Sequence, residues 1–126
     1  MAAIDVKGTS RVRSIDRNEL RNKLDRKTGV HIFNVLSKES YDPAKMIPGS
    51  EWFPVDRLEE LVKDARIGKD EEIVTYCAGS SCTASRDAAE KFVALGFTNV
   101  SRYEGGLEDW ARAGLPFEKA RTTTAA

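Results

Sequence analysis

An α/β fold with a mostly parallel sheet is the architecture this sequence predicts, on three observations. Short apolar or β-branched runs alternate with segments of helical periodicity along the chain. Val30-His31-Ile32-Phe33-Asn34-Val35-Leu36 is an almost continuous apolar run, the pattern of a strand covered on both faces. Ile73-Val74-Thr75-Tyr76 is a β-branched run ending at Cys77, followed by a small-residue loop and then a helical pattern. The 126 residues are enough for one domain with a single core.

The elements follow in order. The first nine residues are polar and aperiodic and are expected to be loose. Arg11-Val12-Arg13-Ser14-Ile15 predicts a short edge strand. Asp16 is an N-cap with Glu19 in the capping-box position, and Ile15 and Leu20 stand at staple positions. Leu20 and Leu24 form the apolar stripe of that helix, which ends at Lys27-Thr28-Gly29. After the first core strand, Ser37 to Tyr41 predicts one helical turn before Asp42-Pro43. Pro48-Gly49 marks a turn, and Glu51-Trp52-Phe53 a short strand. Asp56 and Glu59 repeat the capping pattern for a helix lined by Leu58, Leu61, Val62 and Ala65, closed by Gly68. From Thr83, apolar residues through Leu95 keep helical spacing, and Gly96 stands where a left-handed cap is wanted. Asn99 to Tyr103 predicts another strand, Gly105-Gly106 a break, and Leu107 to Ala113 a short helix with Leu107 and Trp110 facing inward. Beyond Lys119 the chain becomes rich in Thr and Ala, the composition of a tail.

Composition excludes several functions. Twenty basic side chains balance twenty acidic ones, so there is no broad electrostatic footprint for nucleic acid or an anionic membrane. No apolar run approaches the roughly 20 residues of a membrane span. The first residues lack the basic and apolar regions of a secretory signal, so a reducing cytoplasm is the expected location. Two cysteines are too few for a disulfide scaffold and, with a single histidine, a poor zinc set.

The chemistry is expected at Cys77. Strand, loop and helix in that order aim backbone N–H groups from the loop and the helix start at one point, and the helix dipole adds positive potential. A cysteine there is expected to ionise below the usual value of about 8.5, making it a nucleophile. The competing structural reading is a buried cysteine acting as a small hydrophobe. Ala78, Gly79, Ser80, Ser81 and Cys82 form the loop, and Arg86 lies about one helical turn inside the following helix.

In this order the pieces resemble a single rhodanese-like domain. The resemblance runs from roughly Ser10 to Phe117, giving an expected domain of residues 10–118 with loose termini at 1–9 and 119–126. Ile32-Phe33-Asn34-Val35-Leu36 with Glu39 and Tyr41 is similar to the family's first core strand and its sequel. Met46-Ile47-Pro48-Gly49-Ser50 is similar to its His-Ile-Pro-Gly-Ala segment, and Val74-Thr75-Tyr76-Cys77 to the strand entering its catalytic cysteine. Leu95 to Val100, Glu104-Gly105-Gly106, Trp110 and Gly114-Leu115-Pro116 match its closing signature.

The resemblance implies a central sheet with helices on both faces and a sulfurtransferase chemistry without a cofactor or metal. The Cys77 thiolate takes the outer sulfur of a small-molecule donor, thiosulfate or a persulfide, and a persulfide on Cys77 passes it to a thiol or to cyanide. Converging N–H groups would stabilise the anionic persulfide, and the small loop residues would let the backbone approach its outer sulfur. Cysteine phosphatases instead need an arginine after five intervening residues, to clamp phosphate oxygens. Here that position is Thr83, and Cys77 to Cys82 makes the six-residue loop the resemblance associates with sulfur.

Three departures stand out. Cys82 replaces the Arg or Thr many relatives carry; it is either a small residue at the helix start or a second thiol that accepts sulfur or closes a disulfide with Cys77. The loop has no basic residue, which favours a persulfide or polysulfide donor over thiosulfate, with Arg86 as a candidate anion ligand or simply a solvated side chain. Asn34 and Met46 stand where relatives often have Asp and His, and are expected to serve structure. Two rival readings remain at this point: a non-catalytic sulfur-carrier or docking module on the same fold, and a thiol redox sensor using Cys77 and Cys82. Oligomeric state is not legible.

Overall fold

The structure, a computed structural model, describes residues 12–26 and 29–120. The expected loose N-terminus, Lys27-Thr28 and residues 121–126 lie outside the described residues. The elements are β1 (Arg13–Ile15), α1 (Arg17–Arg26), β2 (Val30–Asn34), β3 (Ser50–Trp52), a 3-10 turn (Val55–Arg57), α2 (Leu58–Ala65), β4 (Glu72–Tyr76), α3 (Ala84–Ala94), β5 (Val100–Tyr103) and α4 (Gly106–Arg112). The strands form one five-stranded sheet in the order β1-β5-β4-β2-β3, and every neighbouring pair is parallel.

Helices cover both faces of the sheet, and the alternation of side chains along β4 shows how. Ile73 and Cys77 pack with Leu58 of α2 and with Ala88 and Phe92 of α3. Val74 and Tyr76 point the other way, among Leu20 of α1 and Trp110 of α4. Ile73 through Tyr76 are all buried, as the uninterrupted apolar run predicts for a central parallel strand.

The helix starts differ from one another for local reasons. Asp16 caps α1 as expected: its Oδ1 accepts the Glu19 N–H at 2.9 Å, and its own N–H donates to Glu19 Oε1 at 3.3 Å. Asp56 does not cap α2. Pro54 opens a 3-10 turn, closed by the Arg57 N–H on the Pro54 carbonyl at 3.0 Å, which carries Asp56 past the cap position; α2 begins at Leu58 without a side-chain cap. Its C-cap is Arg66, in the left-handed region at φ 56°, rather than Gly68. Gly68 instead offers its N–H to Glu71 at 3.1 Å. Gly96 ends α3 in the left-handed conformation, φ 103°, as expected.

The segment from Met46 to Ser50 is fastened to β4. Gly49, at φ 84°, completes a turn in which the Ser50 N–H reaches the Ile47 carbonyl at 3.0 Å. The buried Tyr76 hydroxyl accepts the Ile47 N–H at 3.1 Å and lies 2.7 Å from Ser50 Oγ. Burial pushes this phenol up to about 12, so it stays protonated. Asn34 and Met46, two of the departures from the family pattern, touch: Asn34 Nδ2 donates to Met46 Sδ at 3.5 Å, and Asn34 Oδ1 accepts the Leu36 N–H at 3.0 Å. They form a buried structural pair, so the two departures belong together.

Glu118 pairs antiparallel with Met46, and the Ala120 N–H donates to the Pro43 carbonyl at 2.7 Å. The ordered chain therefore continues past Lys119, where the tail was expected to begin. No helix among the described residues is long and apolar enough to cross a membrane.

The strand order positions the site. β3 follows β2 and lies on its outer side, while β5 follows β4 and lies on the opposite side. Connections diverging from two adjacent parallel strands leave a crevice at their carboxyl ends. Cys77 is the first residue beyond β4, at that crevice.

Candidate active site

Two helices surround Cys77, α4 from further along the chain and α3 directly after the loop. From the start of α4, the Leu107 N–H donates to the Cys77 carbonyl at 3.0 Å and the Glu108 N–H to the Ala78 carbonyl at 2.8 Å. These are otherwise unpaired N–H groups of a helix start, so α4 locks the backbone at the end of β4. Gly106 makes this approach possible. It sits at φ 62°, and a Cβ there would lie 2.9 Å from both the Ala78 carbonyl carbon and the Gly79 nitrogen, and closer still to the Cys77 oxygen. The second element is α3, whose Ser85 hydroxyl and N–H favour the Cys77 thiolate. The Ser85 carbonyl is fixed by Thr75 Oγ1 of β4 at 2.8 Å.

The loop runs Ala78-Gly79-Ser80-Ser81-Cys82. Gly79 is buried, Ser80 and Ser81 are exposed, and the Cys82 N–H folds back onto the Gly79 carbonyl at 3.0 Å. Cys82 lies outside α3, which starts at Ala84 with Thr83 as its N-cap. Its side chain is half-buried and packs against the cluster that includes Cys77; both cysteines are free. The Cys77 thiol also reaches the Cys82 carbonyl, with Sγ to O at 3.5 Å.

The electrostatics differ from the expected picture of one acidic cysteine. Burial pushes the Cys77 thiol up, and donation of its proton to Cys82 pushes it further, against the smaller opposing effect of Ser85. For Cys82, burial also opposes ionisation. It is outweighed by the Cys77 thiol, the N–H groups of Ala78 and Ala84, and the charge of Arg102, which together hold Cys82 below the ordinary thiol value. The groups that favour a thiolate divide between the two cysteines, lowering Cys82 while Cys77 stays raised.

Arg102 is the residue that sequence reasoning missed. It lies on β5 opposite Thr75, on the face that carries Cys77. Its Nε donates to Ser85 Oγ at 2.8 Å and its Nη2 to the Cys82 carbonyl at 3.2 Å, so one guanidinium braces both the loop and the first turn of α3. The available signal was an arginine two residues after Val100 in an otherwise buried strand; the register that sets it beside the loop is tertiary information. Arg86, the cation expected near the site, is exposed, and among the described residues no hydrogen bond or ion pair involves it. Two other residues have structural roles. His31 Nε2 lies 2.6 Å from Glu71 Oε1, and Trp110 donates to the Pro116 carbonyl at 2.9 Å.

A depression of about 450 Å³ lies beside the loop, touching Ser80, Tyr103 and Asp109. Tyr103 donates to Asp109 at 2.6 Å, and Arg17 holds both Asp109 oxygens at 3.0 Å. Among the described residues no group of three or more His, Cys, Asp or Glu side chains could hold a metal ion.

The family model for the rhodanese-like domain matches residues 16–113. The chain belongs to the rhodanese-like family. Solved structures agree with this assignment. The BH2092 protein of Bacillus halodurans is 29% identical, with a TM-score of 0.76 over 85% of this chain and 77% of that one. The rhodanese-like domain of the Anabaena Alr3790 protein is 24% identical, with a TM-score of 0.70 over 90% and 83%. A polysulfide-sulfur transferase homodimer from Wolinella succinogenes has the same fold at 16% identity, with a TM-score of 0.70 over 87% and 80%. No curated protein sequence matches the chain.

The thiol pair makes a direct prediction for this rhodanese-like domain. In reduced protein, iodoacetamide should label Cys82 before Cys77, with half-maximal rate below the ordinary thiol value near about 8.5. Arg102→Met should move that midpoint upward, because the thiolate loses a neighbouring cation. Mass mapping of the alkylated peptides against pH reads both; equal labelling of the two cysteines, or no shift in the variant, would contradict the assignment.

Proposed function

We propose that this chain is a sulfurtransferase that moves a sulfane sulfur through a persulfide on Cys77. The observation that carries this reading is the position of the Cys77 sulfur. It lies just beyond the carboxyl end of the central strand, 3.5 Å from the Cys82 carbonyl oxygen, with Ser85 favouring its thiolate and Cys82 able to take its proton. As the Cys77 sulfur attacks the outer sulfur of a donor R–S–SH, its proton passes to Cys82. The donor S–S bond breaks, and R–S⁻ leaves with the electron pair and takes the proton from Cys82. Cys77 then carries –S–SH, and the hydroxyl and N–H of Ser85 offer donors to its deprotonated form, –S–S⁻. An acceptor thiolate or cyanide attacks the outer sulfur and returns the Cys77 thiolate. The chain's own thiols and donors suffice for these steps.

The donor class follows from charge. The loop Ala78 to Cys82 has no basic side chain, and Arg102 is committed to Ser85 and Cys82 from behind the loop. A dianion such as thiosulfate lacks a side-chain cation in this loop, whereas a persulfide or polysulfide demands less of one. The name of the Wolinella neighbour, a polysulfide-sulfur transferase, is in keeping with that class. A missing charged hydrogen bond costs about 1.5–3 kcal/mol, or roughly tenfold or more in rate. Sulfur transfer to cyanide or a thiol, measured with inorganic polysulfide, glutathione persulfide and thiosulfate, should therefore give a kcat/KM at least about tenfold lower for thiosulfate. Equal or better use of thiosulfate would overturn the donor assignment. No turnover with any donor would favour a docking or carrier module.

A further inference from the structure

We propose that Cys82 is a resolving thiol that discharges the Cys77 persulfide as sulfide. The inference rests on the sulfur-carrier reading above and adds a product and a second oxidation state to it. The Cys77 sulfur, the atom that becomes the inner sulfur of the persulfide, lies 3.5 Å from the Cys82 carbonyl oxygen, and Cys82 packs against the cluster that contains Cys77. Cys82 is held there from both sides, by its N–H on the Gly79 carbonyl at 3.0 Å and by Arg102 Nη2 on its own carbonyl at 3.2 Å. It caps no helix, and it is more exposed than Cys77, so what distinguishes it is a free and reachable thiol beside Cys77.

The step balances as a thiol–disulfide exchange. The Cys82 thiolate attacks the inner sulfur, the bond between inner and outer sulfur breaks, and the outer sulfur leaves as HS⁻ with the electron pair. A Cys77–Cys82 disulfide forms. The two cysteine sulfurs are together oxidised by two electrons, and the sulfane sulfur is reduced to sulfide. A low-molecular-weight thiol then attacks the disulfide, and a second equivalent releases its own disulfide and restores both cysteines. A donor persulfide is thereby reduced to sulfide when thiols are plentiful. When they are scarce, the protein rests as the disulfide and accepts no further sulfur.

The test uses the full chain, reduced and freed of reductant, mixed with one equivalent of glutathione persulfide and quenched with an alkylating agent. Wild type should lose about 2 Da, take up no alkyl group and release one equivalent of sulfide without an added thiol, while Cys82→Ser and Cys82→Ala should load, if more slowly, and stop about 32 Da above their own alkylated, donor-free controls with no sulfide. Wild type that stays at the persulfide mass without sulfide release overturns the resolving step and leaves the carrier reading standing. Failure of all three proteins to gain sulfur or lose protons overturns both. A second sulfur-loaded form with the label on Cys82 also overturns it, since attack would then fall on the outer sulfur.

Discussion

Cys77→Ser should abolish sulfur transfer from every donor, a loss on the order of 10³-fold or more, while the protein stays folded. Serine is close to cysteine in size, and its hydroxyl can use the Ser85 donors and the Cys82 carbonyl that the thiol now faces. The fold should therefore lose no more than roughly 1 kcal/mol. The chemistry has no substitute, because an alkoxide is not formed at neutral pH and an oxygen cannot carry a sulfane sulfur as a persulfide does. Cys82 remains in the variant and is the more acidic thiol, which makes this a demanding test. Steady-state transfer with glutathione persulfide checks it, with circular dichroism confirming the fold. Retained turnover would move the carrier to Cys82.

Gly106→Ala should have the largest effect on stability. Two penalties act together. The residue is in the left-handed region at φ 62°, where a side chain costs about 1–2 kcal/mol. The new Cβ would also fall on the backbone of Cys77, Ala78 and Gly79, which cannot rotate away. Relief requires α4 to back off, breaking the N–H bonds from Leu107 and Glu108 that hold the end of β4. The expected cost is about 3 kcal/mol or more, a fall in Tm of roughly 10 °C, with activity lost through displacement of Cys77. Gly114→Ala separates the two penalties. It has φ 75° but nothing within 4 Å of its Cβ position, so it should show only the conformational cost. Similar Tm values for the two variants would mean that the contact between α4 and the loop is not tight.

The features legible in the sequence are those set by local pattern. The runs ending at Leu36 and Tyr76 announce buried parallel strands because both faces are covered, and Asp16 with Glu19 announces a cap because the two bonds close within one turn. The place of Cys77 just beyond a strand was legible because strand, small loop and helix occur in that order. Where a neighbour decides, the pattern falls short. Asp56 looks like a cap, but Pro54 diverts the chain into a 3-10 turn first. The acidity of Cys77 was expected from a dipole and N–H groups, yet α3 begins only at Ala84, and a second sulfur competes for the donors. Arg102 was invisible as a site residue because its role depends on β5 lying beside β4. The pairing of Asn34 with Met46 likewise explains two departures that look unrelated in the sequence.

The most direct test of the central claim is intact mass after brief exposure to glutathione persulfide, with peptide mapping of the added sulfur. Cys82→Ser protein, in which discharge is blocked, should gain one sulfur atom, about 32 Da, located on Cys77, and the gain should vanish in Cys77→Ser/Cys82→Ser. Sulfur found elsewhere, or no gain in protein with a free Cys77 thiol, would contradict the assignment of Cys77 as the sulfur carrier.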